Sequence, residues 1–226
     1  MKDNMFTPEI LTLDQIKPGK YKILVDVDEV KVKWIDGFLL WYNEKYKTNY
    51  KKEDIWTFDL WQVFGKSQEE SDKDVLDFYD TELFKELDAY DGVESFLKKV
   101  NGVGLSATAR PDSTLNATLY NLGLRFGKNV LPIIFAKPFS SELGRKDIIY
   151  PSKAEIVQKG KIPYAIEDSI RQTMSLIPYC KKIFLVNVSY NSTPEARKQL
   201  EDYEKSGKVQ RINRLDEIPY DLIFSE

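Results

Sequence analysis

Apolar positions along the chain change period twice. The segment Tyr21-Lys-Ile-Leu-Val-Asp-Val-Asp runs from an apolar block straight into two acids and reads as a short buried strand. From Lys31 to about Asp91 the large apolar residues recur at helical spacing, as in Phe38, Leu39, Trp41 and Tyr42, then Val75, Leu76, Phe78 and Tyr79. Few β-branched runs occur there, so the stretch predicts several helices. After Asp91-Gly92 strands and helices alternate. Helices are predicted near Val93–Val100, Thr114–Leu122, Lys153–Lys159 and Ile170–Ile177. Strands are predicted at Val103–Ala107, Pro132–Ala136, Tyr164–Ile166 and Ile183–Val188, with a weak last one near Val209–Ile212.

Alternation of this kind predicts an α/β fold, a parallel sheet covered on both faces. The first strand belongs to that sheet, so the helical stretch is an insertion after it. The expected organisation is a core domain of residues 1–30 and 92–226, with a small helical cap of residues 31–91.

Composition narrows the chemistry. At 226 residues, with 42% hydrophobic and 31% charged residues, the chain is an ordinary folded protein. No run approaches the ~20 apolar residues of a membrane span. The first 18 residues lack the basic-then-apolar order of a secretory signal, so a cytoplasmic protein with no membrane partner is expected. The absence of such a signal also leaves the sequons at Asn116, Asn187 and Asn191 without weight. Cys180 is the single cysteine and there is no histidine. Disulfides, cysteine-rich zinc sites, Ser-His-Asp hydrolases and histidine phosphatases are thereby excluded, leaving carboxylates, hydroxyls, lysine or a metal-bound water for the chemistry. A net charge of -3, with ten acids against three lysines between Lys66 and Asp91, gives no reason to expect nucleic acid as a partner.

Four pieces carry candidate chemistry. Asp26-Val27-Asp28 ends the first strand; residues two apart on a strand share a face, so both carboxylates can address one site beyond the strand's carboxyl end. Ser106-Ala-Thr108-Ala-Arg110-Pro111 closes the second strand, where Thr108 is a hydroxyl able to hydrogen-bond a phosphoryl oxygen. Lys153 opens a helix and carries a fixed positive charge. Glu167 and Asp168, ending another apolar strand, are hard oxygen ligands suited to Mg²⁺. Taken singly, each also reads as a helix cap, a turn or a solvated charge.

Their order, acid pair, hydroxyl, lysine, acid pair, resembles that of the haloacid dehalogenase (HAD) superfamily of phosphohydrolases, over nearly the whole chain and including the insertion after the first motif. The resemblance implies a Rossmann-like three-layer parallel sheet and Mg²⁺-dependent hydrolysis of phosphomonoesters. Asp26 would be the nucleophile that becomes an aspartyl-phosphate, and Asp28 the acid and base. Asp26 and Asp168, with the Asp28 carbonyl, would hold the metal, assisted by Glu167 through a water. Thr108 and Lys153 would position and neutralise the transferring group.

Within the superfamily, Asp26-Val-Asp-Glu-Val30, Phe38-Leu-Leu-Trp-Tyr-Asn-Glu-Lys-Tyr46 and Asp91-Gly92-Val93 resemble the 5'(3')-deoxyribonucleotidase branch, implying a nucleotide as the small phosphorylated partner. Glu29 departs from the pattern, because a charged side chain stands where many members have glycine. All four tryptophans fall in the insertion. Large side chains are needed to give so small a cap a core, and Trp34 is also the candidate to contact a base. Arg110 is either a second substrate contact or a surface ion pair. Gly65-Lys66-Ser67 is not a phosphate loop, since Leu60 stands at its required glycine. Other phosphate esters, and binding of a phosphorylated ligand without turnover, stay open as alternatives.

Overall fold

The computed structural model describes residues 6–138 and 149–224. At its centre is a six-stranded, wholly parallel sheet formed by β1 (Ile23–Val25), β2 (Gly104–Thr108), β3 (Ile133–Phe135), β4 (Tyr164–Glu167), β5 (Lys182–Val186) and β6 (Val209–Ile212). The spatial order is β3-β2-β1-β4-β5-β6. The chain builds outward from β1 on one side, then returns to build on the other. The resulting switch point, where crossovers leave a crevice, lies at the carboxyl ends of β1 and β4.

Alternating side chains divide the interior into two layers, as the twofold period of a strand requires. Ile23 and Val25 of β1, Tyr164 and Ile166 of β4, and Phe184 of β5 pack on one face. Leu24, Ala165, Ile183 and Leu185 pack on the other. The first face is covered by α5 (Val93–Val100), α6 (Leu115–Phe126) and the short α10 (Tyr220–Phe224). The second is covered by α7 (Lys153–Gly160), α8 (Ile170–Leu176) and α9 (Pro194–Lys205). This is the three-layer α/β architecture expected from the pattern. No helix among the described residues is long and apolar enough to cross a membrane.

Two helices escape the apolar pattern. In α9 the apolar face is a narrow stripe, Ala196, Leu200 and the half-buried Tyr203, among mostly charged neighbours; Thr193 as cap and Pro194 at the first turn are its other readable signals. Likewise α10 buries only Ile223.

Between β1 and α5 come α1 (Trp34–Tyr46), α2 (Leu60–Phe64), α3 (Gln68–Tyr79) and α4 (Glu82–Lys85). Their interior is aromatic. Trp34 stacks on Phe38 with centroids 4.9 Å apart and planes 9° apart, and Phe78 meets both edge-on. Tyr42 stacks on Phe64 at 4.1 Å. Five-, twelve- and four-residue helices bury little area each, and large rings supply what Leu or Val could not. This cluster is continuous with the core between the sheet face that carries Val25 and Phe96 of α5. Only part of the tryptophan set serves it: Trp34 is buried and Trp41 half-buried, whereas Trp56 and Trp61 are exposed. Phe78 touches five other rings. Phe78→Ala is therefore expected to cost about 3–5 kcal/mol, read as a lowered urea midpoint.

Candidate active site

The residue pairing of β1 ends at Val25, and the Asp26 N–H still donates to the Ile166 carbonyl of β4 at 3.1 Å. Asp26-Val27-Asp28 therefore forms the turn that leaves the strand end, and it carries both carboxylates beyond the sheet. They still line one cavity of about 140 Å³, together with Lys153, Asp168, Arg110 and Trp34. Glu167 and Thr108 stand behind that wall, both wholly buried.

Local sequence explains how the charged groups are delivered. Ser152 caps α7 through a reciprocal pair: its hydroxyl accepts the Glu155 N–H at 3.1 Å, and Glu155 accepts the Ser152 N–H at 2.7 Å. Lys153 therefore begins the helix and points inward. Its ammonium lies 2.9 Å from Asp26 Oδ1 and 2.8 Å from Glu167 Oε1. Burial opposes its charge, but Asp26 and Glu167 outweigh burial and hold Lys153 above the usual lysine range. At β4 the capping of α8 falls to Ser169, whose hydroxyl accepts the Gln172 N–H at 3.4 Å. That leaves the Asp168 carboxylate for the site, where it accepts the Tyr190 hydroxyl.

One oxygen from each of Asp26, Glu167 and Asp168 lies within 4.8 Å of the other two. Glu167 Oε2 is buried with no hydrogen-bond partner among the described residues. Burial first, then the neighbouring carboxylates, push Glu167 and Asp168 well above the usual carboxylate range. Converging hard oxygens, one of them orphaned, form a donor set that fits a divalent cation.

Asp28 takes a different partner. The Arg110 guanidinium grips its carboxylate with Nε at 2.9 Å from Oδ2 and Nη2 at 2.6 Å from Oδ1. Arg110 is 1% exposed, rests on the Phe84 ring, and donates from Nη1 to Thr118 at 3.1 Å. The surface ion pair considered from sequence is thus a buried one, and it leaves little of Arg110 free for a substrate. The Thr108 hydroxyl accepts the Arg110 N–H at 3.2 Å, fixing the turn that aims this arginine. Trp34 reaches the cavity while one ring face is occupied by Phe38. The mouth adds Phe58, Trp61 and Tyr79.

Tyr190 and Lys31, which the motifs did not signal, and Glu29, whose departure from the pattern was visible, complete the surroundings. Tyr190 follows β5. Glu29 has φ +54°, the left-handed conformation that favours glycine, which explains the usual residue there. The side chain offsets that strain by accepting the Ile35 N–H at 2.8 Å at the start of α1, the Tyr90 hydroxyl at 2.7 Å, and an ion pair from Lys52 at 2.7 Å. Lys31 is 1% exposed, with its ammonium 2.5 Å from Ser106 Oγ. Set in the alternating Glu29-Val30-Lys31-Val32-Lys33, it looks in the sequence like one more solvated lysine.

No protein-family model matches this sequence, and no curated protein matches it. Solved structures do. The chain is similar to a predicted phosphatase from Clostridium acetobutylicum (TM-score 0.59, 13% identity, covering 92% of this chain and 99% of that one). It is also similar to a conserved haloacid dehalogenase-like protein of unknown function from Agrobacterium tumefaciens (0.56, 16%, 89% and 96%). A haloacid dehalogenase-like family hydrolase from Streptococcus pneumoniae matches less fully (0.53, 13%, 78% and 89%). The fold is the HAD fold. At these identities the likeness speaks for the architecture, and the chemistry rests on the side chains.

Burial pushes Lys31 down to about 7, against the pull of Asp26 and Asp28 and with the push of Arg110 and Lys153. Between about pH 7 and the unfolded value of about 10.4, the unfolded chain keeps a proton that the folded chain has lost. Lys31 therefore opposes folding most below pH 7, and that opposition fades as pH rises through this window. Lys31→Met is expected to gain stability over the parent at pH 6 and to keep less than half of that advantage at pH 9, measured by urea unfolding at both.

Proposed function

We propose that the protein is a Mg²⁺-dependent phosphomonoester hydrolase working through an aspartyl-phosphate, with a (deoxy)nucleoside monophosphate as substrate. The observation that carries this reading is the meeting of Asp26, Asp168 and Lys153 on one cavity, with Glu167 directly behind. Asp26 attacks phosphorus as the bond to the leaving oxygen breaks, and Asp28 delivers a proton to that oxygen. Asp28 then takes a proton from the water that hydrolyses the acyl phosphate, returning Asp26 to its carboxylate. Lys153 holds Asp26 in place and offsets charge on the transferring group.

Asp26 and Asp168 would hold the metal through carboxylate oxygens and Asp28 through its backbone carbonyl, with Glu167 assisting through a water. When bound, magnesium supplies positive charge at the phosphoryl oxygens. Arg110 keeps the Asp28 carboxylate turned toward the cavity. The nucleotide assignment is supported by the resemblance around Asp26–Val30 and by the aromatic lining of Trp34, Phe58, Trp61 and Tyr79, surfaces on which a base can stack for ~1–3 kcal/mol.

Phosphate release from p-nitrophenyl phosphate with Mg²⁺ tests the reaction class. Asp26→Asn and EDTA are each expected to abolish it, and Lys153→Met to lower kcat by roughly 10²–10³-fold. Absence of release from any phosphate ester would overturn the reading in favour of a phospho-ligand-binding protein. A panel of deoxynucleoside monophosphates against sugar phosphates tests the substrate. Turnover confined to the sugar phosphates would remove the nucleotide assignment and leave the reaction class standing.

A further inference from the structure

Tyr190 lies outside the four motif segments, on the turn after β5, yet its hydroxyl donates directly to the Asp168 carboxylate. The turn is built to hold it there. Asn191, fully buried, donates through Nδ2 to the Asp168 carbonyl at 2.7 Å and to the Val186 carbonyl at 2.7 Å. Arg211 locks the other end of the Asn191 amide, 3.0 Å from Oδ1. The Tyr190 ring is 8% exposed and meets Phe58 edge-on, with centroids 5.7 Å apart and an interplanar angle of 82°. A phenol so enclosed has little room to swing its hydroxyl off Asp168.

The consequence is a matter of counting oxygens. Asp26 Oδ1 is taken by the Val27 N–H at 2.7 Å and by Lys153. Glu167 Oε1 is taken by Lys153. Tyr190 takes Oδ2 of Asp168. Each carboxylate of the cluster is left with one oxygen that no described residue engages. A small cation that needs six ligands at about 2.0–2.1 Å and retains several waters is satisfied by such single-oxygen ligands. A larger one, which takes six to eight oxygens at about 2.3–2.6 Å and uses carboxylates two-handed, is not.

We infer that Tyr190 is a specificity-determining residue of the cation site, holding Asp168 to a single-oxygen ligand and so favouring Mg²⁺ over Ca²⁺. This rests on the cation site proposed above. Of the donors that restrict the cluster, Tyr190 is the one whose removal leaves Asp26, Lys153 and Glu167 intact, so it separates cation selectivity from the rest of the site. Phe58, in the insertion, braces it from the opposite side.

Calorimetric titration of the full chain with MgCl₂ and with CaCl₂ gives the ratio of the two affinities without reference to turnover. Tyr190→Phe keeps the ring and deletes the donor; it is expected to shift the ratio toward Ca²⁺ by about tenfold or more. Phe58→Leu, which loosens the ring without touching the hydroxyl, is expected to shift it in the same direction by less, and it decides the matter if Tyr190→Phe does not fold. A ratio unchanged within about twofold in the folded variants would overturn the role of Tyr190 while leaving the cation site in place. A parent chain that binds neither ion would overturn both.

Discussion

Three buried carboxylates, those of Asp26, Glu167 and Asp168, crowd the carboxyl ends of β1 and β4, where the fold places its crevice, and the part-exposed Asp28 shares their cavity. At the separations within this cluster, two like charges repel by roughly 3–4 kcal/mol at an effective dielectric of about 20, and burial adds a desolvation cost for each. Lys153 answers Asp26 and Glu167, and Arg110 answers Asp28. The direct partner of the Asp168 carboxylate among the described side chains is a neutral phenol, with Lys153 acting on it from further off. Burial first, then the neighbouring carboxylates, hold Glu167 and Asp168 above the usual carboxylate range, so added positive charge at this point would be favourable.

Much of the surrounding structure is arranged around these carboxylates. The Ser152–Glu155 pair starts α7 where Lys153 can turn inward. Ser169, by capping α8, spares Asp168 that task. Phe84 and Thr118 seat Arg110 beneath Asp28. Glu29 ties the loop after β1 to the start of α1 and, through Lys52 and Tyr90, to the segments that frame the cavity. Each contact is an ordinary cap, ion pair or ring contact. Together they fix the directions of carboxylates that would otherwise turn apart.

The sheet and its motif segments were legible because β1 to β5 are short, largely apolar blocks ended by polar residues, a pattern that survives without any tertiary information, whereas β6 (Val-Gln-Arg-Ile) gives only a weak one. The helix Pro194–Lys205 was not, since its apolar face is a thin stripe of Ala196, Leu200 and the half-buried Tyr203 among mostly charged residues. The positions of Asp26 and Asp168 followed from their places at strand ends. Partner choice did not. Arg110 could have faced substrate, solvent or Asp28, and only the packing of Phe84 and Thr118 against it decides for Asp28. Trp34 shows the same limit from the other side. Its place after β1 marked it as close to the site, but the loss of one ring face to Phe38 depends on how the insertion folds. Tyr190 and Lys31 lie where no motif signals them, and their importance comes from burial beside charges distant in sequence.

The crowded carboxylates also bear on which reaction this HAD fold serves. A carboxylate that displaces a halide at carbon expels a leaving group that needs no proton, so a second acid such as Asp28 would be idle. A phosphomonoester meets the same groups differently. Its leaving alkoxide needs a proton, its dianion needs positive charge close to Asp26, and a cation held by the acid cluster serves substrate and protein at once. The features that are unfavourable for the isolated protein, the crowded buried carboxylates and the unpaired Glu167 oxygen, are ones that a cation would offset in the phosphoryl transfer proposed above.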